Sequence, residues 1–554
     1  SGKSAANSMK WLVCNFLLLL SIGSHHLYAQ SNAPAQDTAV TDSVYLQAFQ
    51  QMQIFQSDTN TRYVLVGDVI LSADSNLFFC DSLIFDSDID SGVIRAYNNI
   101  QVTTIEGIVI TSDSLVYSLQ TSAGRFLGHC TYTENGKRIK SPYISFNTAT
   151  GDGQFAGGGQ LRQGNTRIRS NYGNYSSRGG RSRLTGDVEI RQGPTLIQSK
   201  DIIYNSKTGA GKILDSTVIY EEDLTIYCHK GQLGGEGKPS VFGEGTLFVS
   251  GSKIGWCNDT RFNPQDSTIN LLSDYHIYDT IDSIGMWGVL ATLDDKNGSL
   301  RGYRRPMVYS VDGQDTLFLA ADTLFALKDS MGGVDSMAKP IHLFGWGAAK
   351  FFSQNEQGQA NTIHWIGDTD YLALDGDVVL WNDSIEVLSE AGQMETDSNH
   401  HDNRKLSFWG DAFWSRALTP RGFFDQVAGD SLCIILRDTL VQQIEVRNNA
   451  HILVFIESET DGLYENGNRS DAAYALVRLD SLGEVLSMRL EDGVVGDVFA
   501  IIDEEGVAQP TVLDAYRSMR HARPDSYVDL TSNPSNVPKA PLTLYRRYVN
   551  QWAK

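Results

Sequence analysis

Apolar residues recur along this chain at a fixed step of 29 positions, in three columns that keep one register between residues 107 and 248. The first column is made of isoleucines: Ile110, Ile139, Ile168, Ile197 and Ile226. The second is mostly aromatic: Tyr117, Phe146, Tyr175, Tyr204 and Leu233. The third is mixed: Phe126, Phe155, Leu184, Ile213 and Phe242. Self-similarity at this period is typical of stacked supersecondary units that share one core. We therefore interpret the region as a repeat array.

The alternation of apolar and polar residues inside each unit predicts β-strands. Within residues 183–190, apolar side chains fall on one face of a pleat and charged side chains fall on the other. This period of two is that of a strand and not of a helix. The odd spacing from Ile110 to Tyr117 requires a defect near residues 112–114, because a regular strand would point these two side chains to opposite faces. We expect each strand to turn a corner there and pass from one packed sheet to the other.

The regularity of the pattern changes along the chain. Apolar residues between Asp42 and Phe55 have a spacing that fits a short helix, with Asp42 as its cap. After residue 257 the repeat register is lost, and strand-like segments return at Tyr303. The predicted segments are a signal peptide (1–29), a linker with a short helix (30–62), the β repeats (63–257), an irregular connector (258–302), a second, less regular β array (303–504) and a proline-containing tail, extended or mobile (505–554).

Composition and charge limit the classes of protein to which the chain can belong. Hydrophobic residues make up 41% of the 554 residues, which is enough for sizeable cores, and the 51 glycines suit many β-turns. The formal net charge of -21 argues against a nucleic-acid-binding protein, which needs a basic stripe. It also argues against simple electrostatic docking on an anionic membrane.

The N-terminal residues have the features of an export signal. Met9 is a natural start, Lys10 supplies a positive charge, an apolar run covers residues 11–22, and a cleavage site follows Ala29. The apolar run is too short to span a bilayer comfortably. We therefore predict that the mature chain is exported to the periplasm, and an uncleaved membrane anchor is the alternative.

The sequence contains no recognisable catalytic or metal-binding motif. G-x-S-x-G, H-E-x-x-H and P-loop patterns are all missing. His400-His401-Asp402 has no third ligand at metal spacing, so we interpret it as part of a solvated loop. Cys80 and Cys228 share a repeat phase with serines, which favours small residues at a tight corner over a disulfide. We predict a protein that is not an enzyme and that has no catalytic residues, metal or cofactor.

Two short motifs alternate through the repeats. The first is Gly67-Asp68-Val69, which returns as Gly186-Asp187-Val188, and the second is Asp81-Ser82-Leu83-Ile84-Phe85, which returns as Asp113-Ser114-Leu115-Val116-Tyr117. In their order and recurrence over residues 63–257 they resemble the OstA-like family of periplasmic lipopolysaccharide-transport proteins. That family is related to the bridge component LptA and to the N-terminal domain of the outer-membrane translocon. The resemblance implies an all-β fold, an open β-jellyroll or taco that holds the acyl chains of lipid A.

The same resemblance implies a non-enzymatic carrier or bridge that moves lipopolysaccharide across the periplasm to the inner face of the outer membrane. Its implied partners are the lipid A acyl chains, other transport components that add to free strand edges, and a second copy of the chain, but no nucleic acid. The candidates for the groove rim are Arg167, Arg169, Arg181 and Arg183, although surface solvation explains them equally well. The residues predicted to line the lipid groove are Ile110, Ile139, Ile168, Ile197, Ile226, Phe126, Phe155, Leu184 and Ile213.

Other interpretations of the residues remain open. Glycines within the columns, such as Gly159 and Gly173, either leave room for a ligand or merely relieve crowding at bends. The whole array is alternatively a closed parallel β-helix, as in an adhesin or a polysaccharide-acting protein. A third hypothesis is a structural protein that assembles edge to edge and binds no lipid.

Overall fold

The structure, a computed structural model, is built almost entirely of β-strands. It describes residues 44–88, 92–177, 179–294, 296–312, 315–328, 341–367, 371–397, 400–418, 422–437, 440–457, 464–481, 483–502, 507–531 and 550. The described residues belong to one compact unit that begins at Val44. The signal peptide predicted for residues 1–29 lies outside the described residues.

The strands follow one another along the chain with short connections. The first twelve are β1 Tyr45–Ala48, β2 Gln51–Gln56, β3 Asn60–Ala73, β4 Asn76–Asp88, β5 Gly92–Thr103, β6 Val109–Ser118, β7 Ala123–Glu134, β8 Lys137–Asn147, β9 Asp152–Gln163, β10 Thr166–Ser176, β11 Arg181–Gln192 and β12 Thr195–Asn205. The next fourteen are β13 Ala210–Ile213, β14 Thr217–Glu221, β15 Leu224–Cys228, β16 Lys230–Gly234, β17 Ser240–Gly243, β18 Thr246–Ser250, β19 Lys253–Asn263, β20 Thr268–Asp279, β21 Ile284–Gly288, β22 Leu290–Asp294, β23 Ser299–Tyr303, β24 Met307–Asp312, β25 Asp315–Ala320 and β26 Thr323–Lys328. The last ten are β27 Ile341–Phe352, β28 Glu356–Ile366, β29 Tyr371–Asn382, β30 Ile385–Asp397, β31 His400–Leu418, β32 Phe423–Arg437, β33 Leu440–Glu457, β34 Tyr464–Leu479, β35 Val485–Glu491 and β36 Val495–Ala500.

Each long strand is hydrogen-bonded to the strands that precede and follow it in sequence. From β3 to β12, and again from β27 to β34, the pairing is consecutive and antiparallel. One 29-residue repeat therefore corresponds to two antiparallel strands. The prediction of an all-β antiparallel array is confirmed, and the parallel β-helix alternative is wrong in its strand direction.

The long strands turn a corner near the middle, as the apolar columns require. β6 loses register with β7 between Thr111 and Ser114, at the position predicted for the defect. In every second strand, the corner is formed by residues in the left-handed region, such as Gly186 (φ 72°) followed by Asp187 (φ 46°). Glycine adopts this conformation without a steric penalty and aspartate tolerates it better than most residues. We call the line of corners the spine.

Small buried residues occupy the other strands at the spine. Ser112, Ser141 and Ser199 are buried there, and Cys80 and Cys228 take equivalent places. The cysteine thiols within the described part of the chain are free, which agrees with the corner interpretation. Burial raises the pKa of the Cys80 and Cys228 thiols to about 12, so they stay protonated and unreactive at neutral pH.

The corner divides every long strand between two half-sheets that share one interior. Half-sheet A carries the second and third apolar columns, including Tyr117 and Phe126, and half-sheet B carries the isoleucine column that starts at Ile110. Tyr117 and Ile110 are both fully buried in the same core cluster, although they stand seven positions apart on one strand. A strand that bends at the spine satisfies both observations, because its two arms then face each other.

The strands β13–β26, which are short except for β19 and β20, continue the same two half-sheets. β12 already shows this, since its C-terminal arm pairs with β13 and its N-terminal arm pairs with β14. The irregular connector predicted for residues 258–302 is therefore wrong: β19–β23 lie there, and the ladder runs on into β24 and β26. The 29-residue register persists through the short strands β13–β17, which contain Ile213, Ile226 and Phe242, and it ends before β20 although the pairing continues.

The helix predicted between Asp42 and Phe55 is also wrong. β1 and β2 occupy this region and pair with the two arms of β3. The apolar spacing of Tyr45, Phe49 and Met52 fits a helix by coincidence, but these side chains are exposed rather than gathered on one buried side. Pairing with a neighbouring strand has overridden a weak local preference. Within the described residues, no helix has the length and apolar character to cross a bilayer.

Residues 507–531, from the predicted tail, form a strap against the outer face of half-sheet B. Leu513 is buried beside Phe413, Leu453 and other residues of a second core that lies outside the main one. Two short 3₁₀ turns, Arg520–Ala522 and Tyr527–Leu530, follow in the strap. Leu530 is fully buried against Met307 and Ala320. This part of the predicted tail is thus extended and packed, and residues 532–549 lie outside the described residues.

Candidate functional site: the interior and its seam

The residues predicted to line a groove all point into the interior between the half-sheets. Each of the nine is at most 5% exposed, and all belong to the main hydrophobic core. Between β6 and β15 they pack against one another and against the tyrosines of half-sheet A. The sequence therefore identified the inward-facing residues of this part of the chain, and the protein's own side chains fill the space around them.

Aromatic rings from both half-sheets meet in the middle of this first interior. Tyr132 of half-sheet B approaches Tyr175 of half-sheet A with ring centroids 4.9 Å apart, and it also packs against Phe146 at 5.5 Å. The ammonium group of Lys137 lies 4.8 Å from the centroid of the Tyr175 ring. Burial lowers the pKa of Lys137, and the aromatic faces compensate in part for the water that it has lost.

Opposite the spine, the ends of the two half-sheets meet along a line that we call the seam. Several side-chain hydrogen bonds join the half-sheets there. The Tyr117 hydroxyl donates to Asp74 (3.1 Å). The Tyr204 hydroxyl donates to Gln192 (2.5 Å), and the Thr166 hydroxyl donates to the carbonyl of Ser206 (3.2 Å). The mouth predicted to be open is thus bridged by side chains in this part of the molecule.

The interior differs between β24 and β33, where it contains an apolar cavity of about 160 Å³. Half-sheet A contributes Leu343, Trp365 and Met394, and half-sheet B contributes Leu380 and Trp414. The few polar side chains in its wall include Glu356, Gln357 and Gln393. A cavity with such a lining favours a hydrocarbon over water, because water needs several polar partners.

A second apolar cavity of about 130 Å³ lies next to the first, toward β20. The two cavities share Val308, Leu343 and Trp365 in their walls. The wall of the second cavity carries charged residues where it approaches the seam, among them Asp282 and Lys328. Together the two cavities form an apolar path along the interior of the later strands.

Ion pairs join the half-sheets at the seam beside these cavities. Lys328 of half-sheet A binds Asp282 of half-sheet B, with 2.9 Å between Nζ and Oδ2. Arg404 of half-sheet A lies 3.4 Å from Glu356 of half-sheet B. All four side chains are partly exposed, so water screens both pairs. We call these two pairs the seam clasps.

The cavity-lining residues were missed in the sequence because the later strands keep no fixed repeat. A faint signal was present, since five of the nine tryptophans of the chain lie between residues 343 and 414. Arg167 and Arg169, considered for the rim, lie instead on the outer face of half-sheet B, on the side of β10 opposite to Ile168. In the described residues, no group of three histidine, cysteine or acidic side chains is placed to hold a metal ion.

Comparison with known proteins supports the resemblance seen in the motifs. No curated protein matches the chain. One family model does match, and the matched part covers β1–β11 and most of β12, which include the spine motifs Gly67-Asp68 and Gly186-Asp187. The antiparallel ladder with two half-sheets is the structure in which these motifs repeat. Residues 41–200 of this chain match the family model described as OstA-like protein.

Proposed function

We propose that the protein is a non-enzymatic periplasmic carrier or bridge that holds acyl chains of lipopolysaccharide between its half-sheets on the way to the outer membrane. The observation that carries this proposal is the pair of adjoining apolar cavities between β20 and β33. They lie inside the same ladder that begins with the residues matched by the OstA-like family model. A lipid tail that crosses an aqueous compartment needs such an interior.

The physical basis is the free energy of transferring hydrocarbon out of water. Each buried CH₂ group contributes about 0.8 kcal/mol. Each cavity is smaller than an ordinary ligand site, whose volume begins at about 300 Å³. They therefore fit part of one acyl chain in the present conformation, and a lipid with several chains requires the half-sheets to separate at the seam.

The nine residues predicted in the sequence have a place in this proposal. Their interior is continuous with the cavities along the ladder but is closed by aromatic rings and by the hydrogen bonds of the seam. We propose that lipid occupies the later strands first. It reaches the columns that contain Ile168 and Ile197 only when the first seam opens.

Site-specific photo-crosslinking tests the proposal. A photoreactive residue at Met394, in the wall of the larger cavity, is expected to crosslink to lipopolysaccharide in cells, whereas one at the exposed outer-face position Gln198 is not. Equal labelling at the two positions, or none at Met394, would contradict a lipid in the cavity. A charge placed at Ile168 or Ile197 is expected to reduce loading only if lipid reaches the first interior.

The two ends of the ladder support a bridging role. β1 and β2 cover β3 at one end, and β35 and β36 cover β34 at the other. In the part of the chain that the structure describes, these four strands have no partner on their second side, and exposed apolar residues such as Ile54 and Leu486 lie on them. We propose that other transport components or a second copy add strands there. Concentration-dependent filaments from lipid-free protein would favour a purely structural role instead.

A further inference from the structure

The outer face of half-sheet B carries a row of arginines across four neighbouring strands. In the antiparallel register Arg138 stands opposite Arg162, Arg162 stands opposite Arg167, and Arg167 stands opposite Arg191. All four are exposed and point away from the interior. Like charges placed directly opposite each other destabilise a sheet, so folding alone gives no reason for this row.

Two more cations stand at the next outward-facing positions toward the spine and begin a second row. Lys140 and Arg169 are both exposed and flank Gln160 in the register. Glu189 is the one acidic residue within these rows on β8–β11, and it pairs with Arg191 at 2.8 Å. A shallow groove of about 230 Å³ runs between the guanidinium groups. We call this set of six cations the cationic face.

We propose that the cationic face docks on clustered phosphate groups, namely the headgroups of an anionic phospholipid bilayer. The chain as a whole has a net charge of -21, so the rest of its surface is repelled by such a bilayer. A face that gathers six cations on one side of a sheet overcomes this repulsion locally and fixes the orientation of the molecule. The ladder would then lie with half-sheet B toward the membrane.

A lipid surface explains the face better than a nucleic acid does. The rows contain no aromatic side chain among the cations on which a base could stack. A long polyanion would also extend beyond the six cations and meet a predominantly acidic protein. A planar array of phosphates, in contrast, matches the flat arrangement of exposed guanidinium groups on neighbouring strands about 4.8 Å apart.

Vesicle co-sedimentation of the full chain tests the proposal. We expect the protein to bind vesicles of phosphatidylcholine and phosphatidylglycerol in equal parts, and not vesicles of phosphatidylcholine alone. The changes Arg138→Gln, Arg162→Gln, Arg167→Gln and Arg191→Gln together are expected to weaken binding about 100- to 1,000-fold, from the usual contribution of a basic residue at an anionic surface. Salt at about 1 M should have a similar effect, since it screens charges beyond about 3 Å.

A control variant removes the same number of charges elsewhere. It replaces four exposed arginines outside the cationic face with glutamine: Arg125, Arg261, Arg437 and Arg478. This variant should bind like the native protein, or slightly less tightly. The single change Glu189→Gln should strengthen binding, which provides a gain that a misfolded variant cannot mimic. Equal weakening by both sets, no binding of the native protein to anionic vesicles, or tighter binding to a DNA duplex would overturn the proposal.

Discussion

Glycines inside the strands of this protein accommodate aromatic rings from neighbouring positions. The ring of Phe155 occupies the space where Gly159 and Gly173 lack side chains, and Tyr175 lies against Gly153 in the same way. The sequence left open whether such glycines make room for a ligand or relieve crowding. In the first interior the room is taken by the chain's own rings. A single sequence could not show this, because the ring lies on a neighbouring strand for Gly173 and across the corner of the same strand for Gly159.

A methyl group at one of these glycines should therefore be costly. Gly173→Ala would place a Cβ atom inside the Phe155 ring and is expected to destabilise the protein by about 1–3 kcal/mol through overpacking. Gly179→Ala is a suitable control, because its added Cβ meets only ordinary contacts near Ser176. Thermal or urea unfolding measures the difference, and equal stability of the two variants would show that Phe155 can move away.

Stability should also depend on pH through His276. This imidazole is buried, its Nε2 lies 2.9 Å from the Tyr309 hydroxyl, and burial lowers its pKa from 6.5 to about 4. The unfolded chain takes up a proton below pH 6.5, whereas the folded chain does so only near pH 4. The free energy of unfolding should hence fall as the pH decreases through this range, by about 3 kcal/mol from this residue.

The measurement for His276 is the pH dependence of urea unfolding. His276→Gln cannot titrate and should flatten the curve between pH 6.5 and 4, while His521→Gln, at an exposed position, should leave its shape unchanged. An unaltered slope in His276→Gln would mean that the histidine is protonated in the folded state.

At the scale of elements, the sequence predicted strands where the period of two is strong and failed where neighbours decide the structure. The bend of β6 near Ser112 followed from the odd spacing of Ile110 and Tyr117. β1, β2 and the strands between residues 258 and 302 were missed, because their register is set by pairing with β3 or with short strands on either side. Pairing partners of this kind leave no periodic signal in their own segment.

The strap shows how an apparently irregular segment is held by specific contacts. Glu386, which is fully buried, accepts hydrogen bonds from the Ser518 hydroxyl and the Met519 backbone, both at 2.8 Å. Gln426, also fully buried, accepts one from the Leu513 backbone at 2.9 Å. Buried polar groups that meet such partners hold an extended segment in one position without regular secondary structure.

Removal of the apolar anchor should therefore loosen the strap. Leu513→Ala is expected to cost about 2–3 kcal/mol of docking free energy, because Leu513 is buried in the outer core. Val512→Ala, at the exposed neighbouring position, should have little effect. Limited proteolysis within residues 507–531 reports on docking, and equal cleavage rates in both variants would argue that the hydrogen bonds alone hold the strap.

At the scale of the whole molecule, the two parts of the interior differ in how completely they are filled. The apolar columns told which residues face inward but not how much volume remains between two half-sheets, since that depends on the angle between them and on contacts across the seam. This is why the nine predicted residues proved to be packed, while the cavities lie beside Trp365 and Met394, in the less regular second array.

The seam clasps should control access to the cavities. Arg404→Gln removes the pair with Glu356 and is expected to speed the uptake of an apolar fluorescent probe by up to about fivefold, because an exposed ion pair contributes at most about 1 kcal/mol. Arg447→Gln breaks an ion pair with Glu445 on the same strand and serves as control. Stopped-flow fluorescence measures the rates, and identical uptake by the two variants would indicate entry by another route.

Because the strands pair consecutively, the number of repeats sets the length of the ladder. Two strands of one repeat add about 10 Å to the length of the ladder, from the usual strand spacing of about 4.8 Å. Removal of residues 139–167 would join Arg138 to Ile168 in phase, so that the shortened ladder keeps its alternation of inward and outward side chains. Insertion or loss of whole repeats can therefore change the length of the ladder without a change in how its interior is packed.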